Sequence, residues 1–584
     1  MTASRRSFLR ATGGTAAGLA LAGCASTDQP ESSTTTAEPG SDRDLRQTGT
    51  TLVTLDPAAS ADGASNRVVT QLYDGLVHFP HATLPPEPLL ASDVSVSADR
   101  TTYRFTIDAD ATFHTGESVT AADVVYTFER LAASPNSMWS GLLLSTLGVT
   151  HETTTDGSYE PGSLGVRAVD EQTVEIELSS PFHAALEVFS LPGFGVVPEG
   201  IVGDVEGYDG RLDYETFATE QPVGAGPFEF DFWKKGTAYR VSARDDYRRD
   251  GPHVAGIRWQ VISNPSTAFT YAKNGNADIF WVPNSEYDPG KVSVDHVDDL
   301  GRKVGTYGPL SNGKTVDYLQ VPLISTYLQA FNTEQVPKAV RQAVAYAMDQ
   351  SLQVEQVHKG RGRAATHVTP PNIFPGGTEG YDDHAEQYPY GVESRLDEAK
   401  RVMEAAGYGP DSRFDLEFTI YTSNAWQRTA KILRDKLERA YVDLTVEQVP
   451  FNGLVTRARK GNVEMFALGW VADYPAVENF LKLLNPPTDR WFTRWSGTPA
   501  AERANEAWQT ISAHPTSSDA DREARRDAYL TVEESNWEDV VLLPKFHPVG
   551  ERFSYQWVDD LAKTGPVGFD KRMYDQVRVG ERDL

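Results

Sequence analysis

Apolar residues along the chain recur at two spacings. In TTYRFTIDA, Tyr103, Phe105 and Ile107 alternate with polar neighbours, as Val174, Ile176 and Leu178 do in TVEIELS. This period-two alternation predicts strands buried on one face. VTAADVVYTFERL instead puts Val124, Val125, Phe128 and Leu131 on one helical stripe, opened by Thr120 and Asp123 at capping-box spacing. VPKAVRQAVAYAMDQ predicts a helix begun by Pro337, with Val340, Ala343, Val344, Ala347 and Met348 turned inward. SRLDEAKRVMEAAGYG predicts Ser394 as N-cap, an apolar side of Leu396, Ala399, Met403 and Ala406, and Gly407 as the stop. The unbroken run Met465 to Ala472 predicts a strand covered on both faces. Strands and helices mix without long βα alternation and without a repeat of fixed period, which defines an α/β chain.

The N-terminus departs from this pattern. MTASRRSFLRATGGTAAGLALAGCAST carries Arg5 and Arg6 ahead of a weakly apolar stretch, Ala11 to Ala22. That stretch is too short for a bilayer core of ~30 Å, which takes about 20 apolar residues. Ser4 to Arg10 looks like a twin-arginine export signal, and Leu21-Ala22-Gly23-Cys24 resembles a lipoprotein signal-peptidase site. Cys24 is the only cysteine in 584 residues, so residues 1–23 read as a cleaved leader and Cys24 as a lipidated N-terminus. Residues 24–44, rich in Ser, Thr and Pro and poor in apolar side chains, read as a disordered tether. The expected product is exported and lipid-anchored to the outer face of the cytoplasmic membrane.

Charge sharpens the picture. The net charge is −28, and removing residues 1–23 takes three arginines and no acid. Such a surplus disfavours nucleic acid or an anionic membrane surface as partner, since neither supplies counter-charge. It fits a protein from a very salty medium, where a Debye length of about 3 Å at 1 M mutes self-repulsion. An acidic surface that recruits cationic partners is the other reading. The salt reading predicts a melting temperature that rises from low to multimolar salt; a flat profile would exclude it.

Candidate chemistry is sparse. GPLSNGKT, Gly308 to Thr315, matches the phosphate-loop pattern G-x-x-x-x-G-K-[ST] letter by letter. Such a loop must open a helix, yet VDYLQVPLISTYLQAF follows and is strand-like, so the segment reads as a turn. His78 and His81 have ligand-like spacing but are split by Pro80 without a nearby third ligand, which favours a turn over a metal site. H-E-x-x-H, G-x-S-x-G and C-x-x-C are missing, which weighs against an enzyme without excluding one, and no cofactor is expected.

Several segments, in order, resemble the extracytoplasmic solute-binding proteins of the peptide/nickel ABC-importer class, family 5. They are TLDPAASADGASNRVVTQLYDGLV, the hairpin and Phe113 to Gly116 turn running into Thr120 to Val124, PVGAGPFEF, KNGNADI, VRQAVAYAMDQ, EAKRVMEAAGY and GWVADYPAVENFL. With the leader and the acidic composition, the resemblance implies a haloarchaeal lipoprotein, monomeric, that hands a captured solute to a membrane permease. It implies a two-lobed, periplasmic-binding-protein-like fold with the ligand cleft at the interface and a hinge between lobes. Lobe I would comprise residues 45–77, 223–312 and 546–584, an insert domain 78–222, and lobe II 313–545.

By the same resemblance, Asp473 would pair with a ligand ammonium. Trp470 and Trp281 would be aromatic cleft walls, and Asp62, Gly63 and Ala64 would pair their backbone with an extended peptide. Some oligopeptide binders hold the ligand carboxylate with an arginine where this chain has Ala467. Arg361, Arg363, Arg457 and Arg459 are possible substitutes. A di- or oligopeptide is the favoured ligand, with nickel chelates and sugars open; a non-transport ligand sensor and a secreted hydrolase are the alternative functions.

Overall fold

The computed structural model describes residues 42–485, 492–559, 564–567 and 573–583. Arg5, Arg6, Cys24 and most of the tether segment lie outside the described residues. The last residue of that segment is already in a strand, Asp44–Gly49, where Arg240 grips the Asp44 carboxylate at 2.7 and 2.9 Å.

A 14-stranded sheet runs through the described residues in two arms. One orders Phe228–Lys234, Ala238–Ala243, Gly256–Val261, Asp44–Gly49 and Ile279–Phe280; the other orders Val442–Val449, Phe414–Tyr421, Met465–Val471 and Ser325–Phe331. The 13-residue strand Leu542–Ser554 joins them. Its first half pairs with Ser325–Phe331 and its second half with Val316–Pro322. Those two partner strands are separated only by Leu323 and Ile324, so two antiparallel crossings, side by side, link the arms. Each arm carries its own packed core, as the two-lobed fold requires.

Proline marks the changeover. Pro322, Pro544 and Pro548 all sit on the crossing strands, and each lacks the N–H that a ladder hydrogen bond needs. The register also slips between Tyr327 and Leu328, opposite Lys545. A locally thinned ladder is where a sheet bends with least loss of hydrogen bonding.

A separate four-stranded sheet orders Ala91–Val96, Thr102–Ile107, Thr173–Glu177 and Val166–Ala168. The alternation read from the sequence points inward: Tyr103, Phe105, Ile107, Val174 and Ile176 are buried. The helix Ala121–Ala133 packs against this sheet, capped by Asp123, which accepts from the Thr120 N–H and hydroxyl at 2.7 Å each. Arg130 on this helix is 1 % exposed and bonds Asp56, on the opening segment of the first arm, and Asp204.

Two helix starts differ from expectation. Pro337 is the N-cap of Lys338–Ala347 rather than its first residue. Leu396–Ala405 is preceded by Arg395, while the Ser394 hydroxyl donates to the Ala347 carbonyl at 3.1 Å and so docks this helix on its neighbour instead of capping it. Gly407, with φ +87°, does end the helix. Gly308 to Thr315 is the turn between strands Lys303–Tyr307 and Val316–Pro322, with Gly313 at φ +82°. No helix among the described residues is long and apolar enough to cross a membrane.

Candidate functional site

The strand Met465–Val471 shows how the second arm builds its share of the cleft. Met465 to Leu468 are covered on both faces, but the strand then emerges: Gly469 and Trp470 are half-buried and Val471 is 65 % exposed. The chain turns through Asp473 into the short helix Val477–Leu481. Asn479, fully buried, organises the turn. Its Oδ1 accepts from Trp470 Nε1 at 2.9 Å and from the Asp473 backbone N–H at 3.1 Å, and its Nδ2 donates to Asp473 Oδ2 at 3.2 Å. Lys482 Nζ donates to the same oxygen at 2.7 Å and lies 4.9 Å from the Trp470 ring centroid.

On the first arm, Trp281 directly follows Ile279–Phe280 and is 47 % exposed. It lines a cavity of about 330 Å³ with Thr50, Arg67, Ser263, Phe280 and Glu551. None of Asp62, Gly63, Ala64, Trp470 or Asp473 lines that cavity, so Trp281 stands apart from the other residues predicted for the site. Asp62 is the N-cap of the helix Gly63–Leu72, its Oδ1 accepting from the Ala64 and Ser65 N–H groups at 3.0 Å. Strand-like pairing with a peptide needs extended backbone with unspent donors. Gly63 and Ala64 are instead the first helical turn, and the Ala64 donor is taken.

The arginines suggested for a ligand carboxylate are likewise engaged. Arg363 pairs with Asp382, and Arg457 with Glu417 and Glu447. Arg361 joins the two arms: it pairs with the buried Glu551, donates to the Val282 carbonyl at 2.9 Å, and covers Tyr287 and Trp281 at 4.3 and 5.1 Å. Lys359 Nζ to the Tyr287 carbonyl at 2.6 Å and Asn284 Nδ2 to the Val357 carbonyl at 2.9 Å extend this clasp. Burial pushes the Tyr287 phenol up to about 12, so it stays neutral beneath the guanidinium.

A second contact reaches from the segment after the strand Thr173–Glu177 to the second arm. Phe182 meets Tyr474 edge-on at 5.7 Å, His183 pairs with Glu478, and Tyr529 donates to Glu478 at 2.8 Å. Burial acts to raise the pKa of Glu478, but the bond to His183 overrides it and holds the carboxyl below its ordinary range. Beside it is a cavity of about 500 Å³, walled by His183 and Glu187 on one side and Pro475 to Glu478 and Tyr529 on the other. Sequence reasoning did not find Asn479, Lys482, the Arg361–Glu551 clasp or the His183–Glu478 bridge. Only the first two had a local signal, at six and nine residues beyond Asp473. No group of His, Cys, Asp and Glu suited to a metal occurs among the described residues.

Two arms of sheet, each with its own core and linked by paired crossing strands, define a two-lobed binding-protein fold. Residues 85–491 match the family model for bacterial extracellular solute-binding proteins, family 5, and the chain belongs to that family. It is 25 % identical to heme-binding protein A of Haemophilus influenzae over 80 % of this chain and 82 % of that one. It is 24 % identical to the oligopeptide-binding protein OppA of Bacillus subtilis, over 74 % of this chain and 75 % of that one. Among solved structures it is similar to the Escherichia coli murein tripeptide binding protein MppA, with TM-score 0.70, 22 % identity, and coverage of 93 % and 100 %.

Proposed function

We propose that this chain is the substrate-binding lipoprotein of an ABC importer, closing on a di- or oligopeptide between its lobes and delivering it to the membrane permease. It performs no chemistry on the ligand. Its Cys24 carries the lipid that holds it at the outer face of the cytoplasmic membrane, and it works as a monomer. Lobe I would comprise residues 45–77, 223–312 and 546–584, the insert 78–222, and lobe II 313–545.

The observation that carries the peptide reading is Asp473, held at a strand end by Asn479 beside the Trp470 ring, with its carboxylate half-exposed. A carboxylate fixed in a closing cleft is the counter-charge that a desolvated ammonium needs. Names of similar proteins support the same class: dipeptide-binding protein of Escherichia coli, di/tripeptide-binding protein 2 of Pseudomonas aeruginosa and glutathione-binding protein GsiB of Salmonella typhimurium. Trp281 is the proposed second aromatic wall. Asp62, Gly63 and Ala64 would meet a peptide only if the first helical turn opens on binding.

Mass spectrometry of what co-purifies with leaderless protein in high salt tests this directly. A ladder of short peptides of mixed sequence supports it. A single non-peptide mass, such as a tetrapyrrole, a sugar or a metal chelate, keeps the importer and removes the ammonium role. For a peptide found this way, Asp473→Ala is expected to weaken binding by about 2–5 kcal/mol, read by calorimetry on a variant that still folds by circular dichroism. Equal affinity would remove Asp473 from the site.

A further inference from the structure

The Asp473 carboxylate already holds an ammonium group, supplied by its own chain. Lys482 Nζ sits 2.7 Å from Asp473 Oδ2 and 4.9 Å from the Trp470 centroid. An anionic oxygen on one side and an aromatic face on the other are the two features that attract a cationic head. The pair is not sealed off: the Lys482 and Asp473 side chains are 39 % and 48 % exposed. Asn479, by contrast, is fully buried and bonded through both its amide groups. The acceptor is therefore fixed, and the cation it holds is exchangeable.

We propose that Lys482 is a specificity-determining residue, an internal ammonium that a ligand must displace from Asp473. This rests on the ammonium reading of Asp473 given above. Displacement leaves a lysine charge on a flexible four-carbon stem beside the bound ligand. A ligand bringing only a cation exchanges one ion pair for another and strands Lys482. A ligand that also brings a carboxylate gives the released Lys482 a new partner, so the exchange conserves both ion pairs. The site thus selects zwitterions, short peptides with both termini free, over cations of the same shape. No guanidinium is needed for this, which accords with Arg361, Arg363 and Arg457 being paired elsewhere.

The test uses tri-alanine, tri-alanine amide and N-acetyl-tri-alanine, with affinities measured by calorimetry on the wild type, Lys482→Met, Lys482→Arg and Asp473→Ala. The wild type is expected to prefer the free acid over the amide by roughly tenfold or more, tenfold being the low end for one ion pair in a closed cleft. Lys482→Met is expected to bind the amide more tightly than the wild type does and to bring the ratio close to one, while Lys482→Arg keeps the preference. An unchanged acid-to-amide ratio in Lys482→Met overturns the proposal. Insensitivity of the wild type to N-acetylation and to Asp473→Ala instead overturns the ammonium reading beneath it. Failure of tri-alanine to bind any of the four proteins overturns both.

Discussion

Lys545→Met is expected to make the protein more stable, by about 2–4 kcal/mol at or below neutral pH. Lys545 is 1 % exposed on the crossing strand, its Nζ 3.9 Å from the Trp426 ring centroid and 3.3 Å from Thr429 Oγ1, and no ion pair involving it occurs among the described residues. Burial pulls its ammonium down to about 7, whereas in the unfolded chain it titrates near ~10.4. Between those values the unfolded state binds more protons, so wild-type stability rises with pH from about 7 to about 10, and below 7 the cost is complete. The gain from methionine, which fills similar volume without charge, should therefore be largest at pH 6–7 and shrink towards 10. Urea unfolding at pH 6.5 and 9.5 measures this. An equal or lower midpoint for the variant at pH 6.5 would show that the lysine is compensated.

The opposite sign is expected at Arg130. Arg130→Met should cost about 3–5 kcal/mol, because it leaves two carboxylates in the interior without their counter-ion. Asp56 and Asp204 are 0 % and 7 % exposed, and both receive hydrogen bonds from the guanidinium. Burial acts to raise the pKa of Asp204, but its bonds to Arg130, Ser134 and Asn136 override that and hold it below its ordinary range. A carboxyl depressed in this way stabilises above its unfolded value of about 3.9 and loses that contribution as pH falls through the folded value. The deficit of Arg130→Met should thus be full at neutral pH and narrow below about pH 4. A midpoint within about 0.5 kcal/mol of wild type at pH 7 would mean that water enters the site and solvates the two acids.

These two lysine and arginine positions show what a sequence reading reaches and what it misses. The Thr120–Asp123 cap, the inward face of Thr102–Ile107 and the strand beginning at Met465 were legible because each rests on neighbours within a few residues. The phosphate-loop lookalike could be rejected for the same reason, since its strand-like continuation is local. Arg130 and Asp56 are 74 residues apart, and Arg361 and Glu551 are 190 apart; along the chain such residues look like any solvated charge. Lys545 follows Leu543 and Pro544 with nothing to mark it as interior. Ser394 failed differently: its hydroxyl could accept from a helix N–H as a cap or donate to the Ala347 carbonyl, and packing of the Lys338–Ala347 helix decided between them. Asp473 and Trp470 were singled out by resemblance alone, whereas Lys482 became visible beside them only once the turn at Asn479 brought it back.

The strand Leu542–Ser554 also governs when the protein can fold. It lies between the two arms of the sheet and bonds with both, yet it is encoded near the end of the chain. During synthesis neither arm has its joining strand until some 550 residues have been made. Long-range strand pairing is slow in any case, because the intervening loop must be closed before contacts repay it. Once they have been made, the strands Val316–Pro322 and Ser325–Phe331 therefore wait as unfinished sheet edges until Leu542–Ser554 emerges. Unpaired edges of this kind are what chaperones cover and what aggregates if left bare.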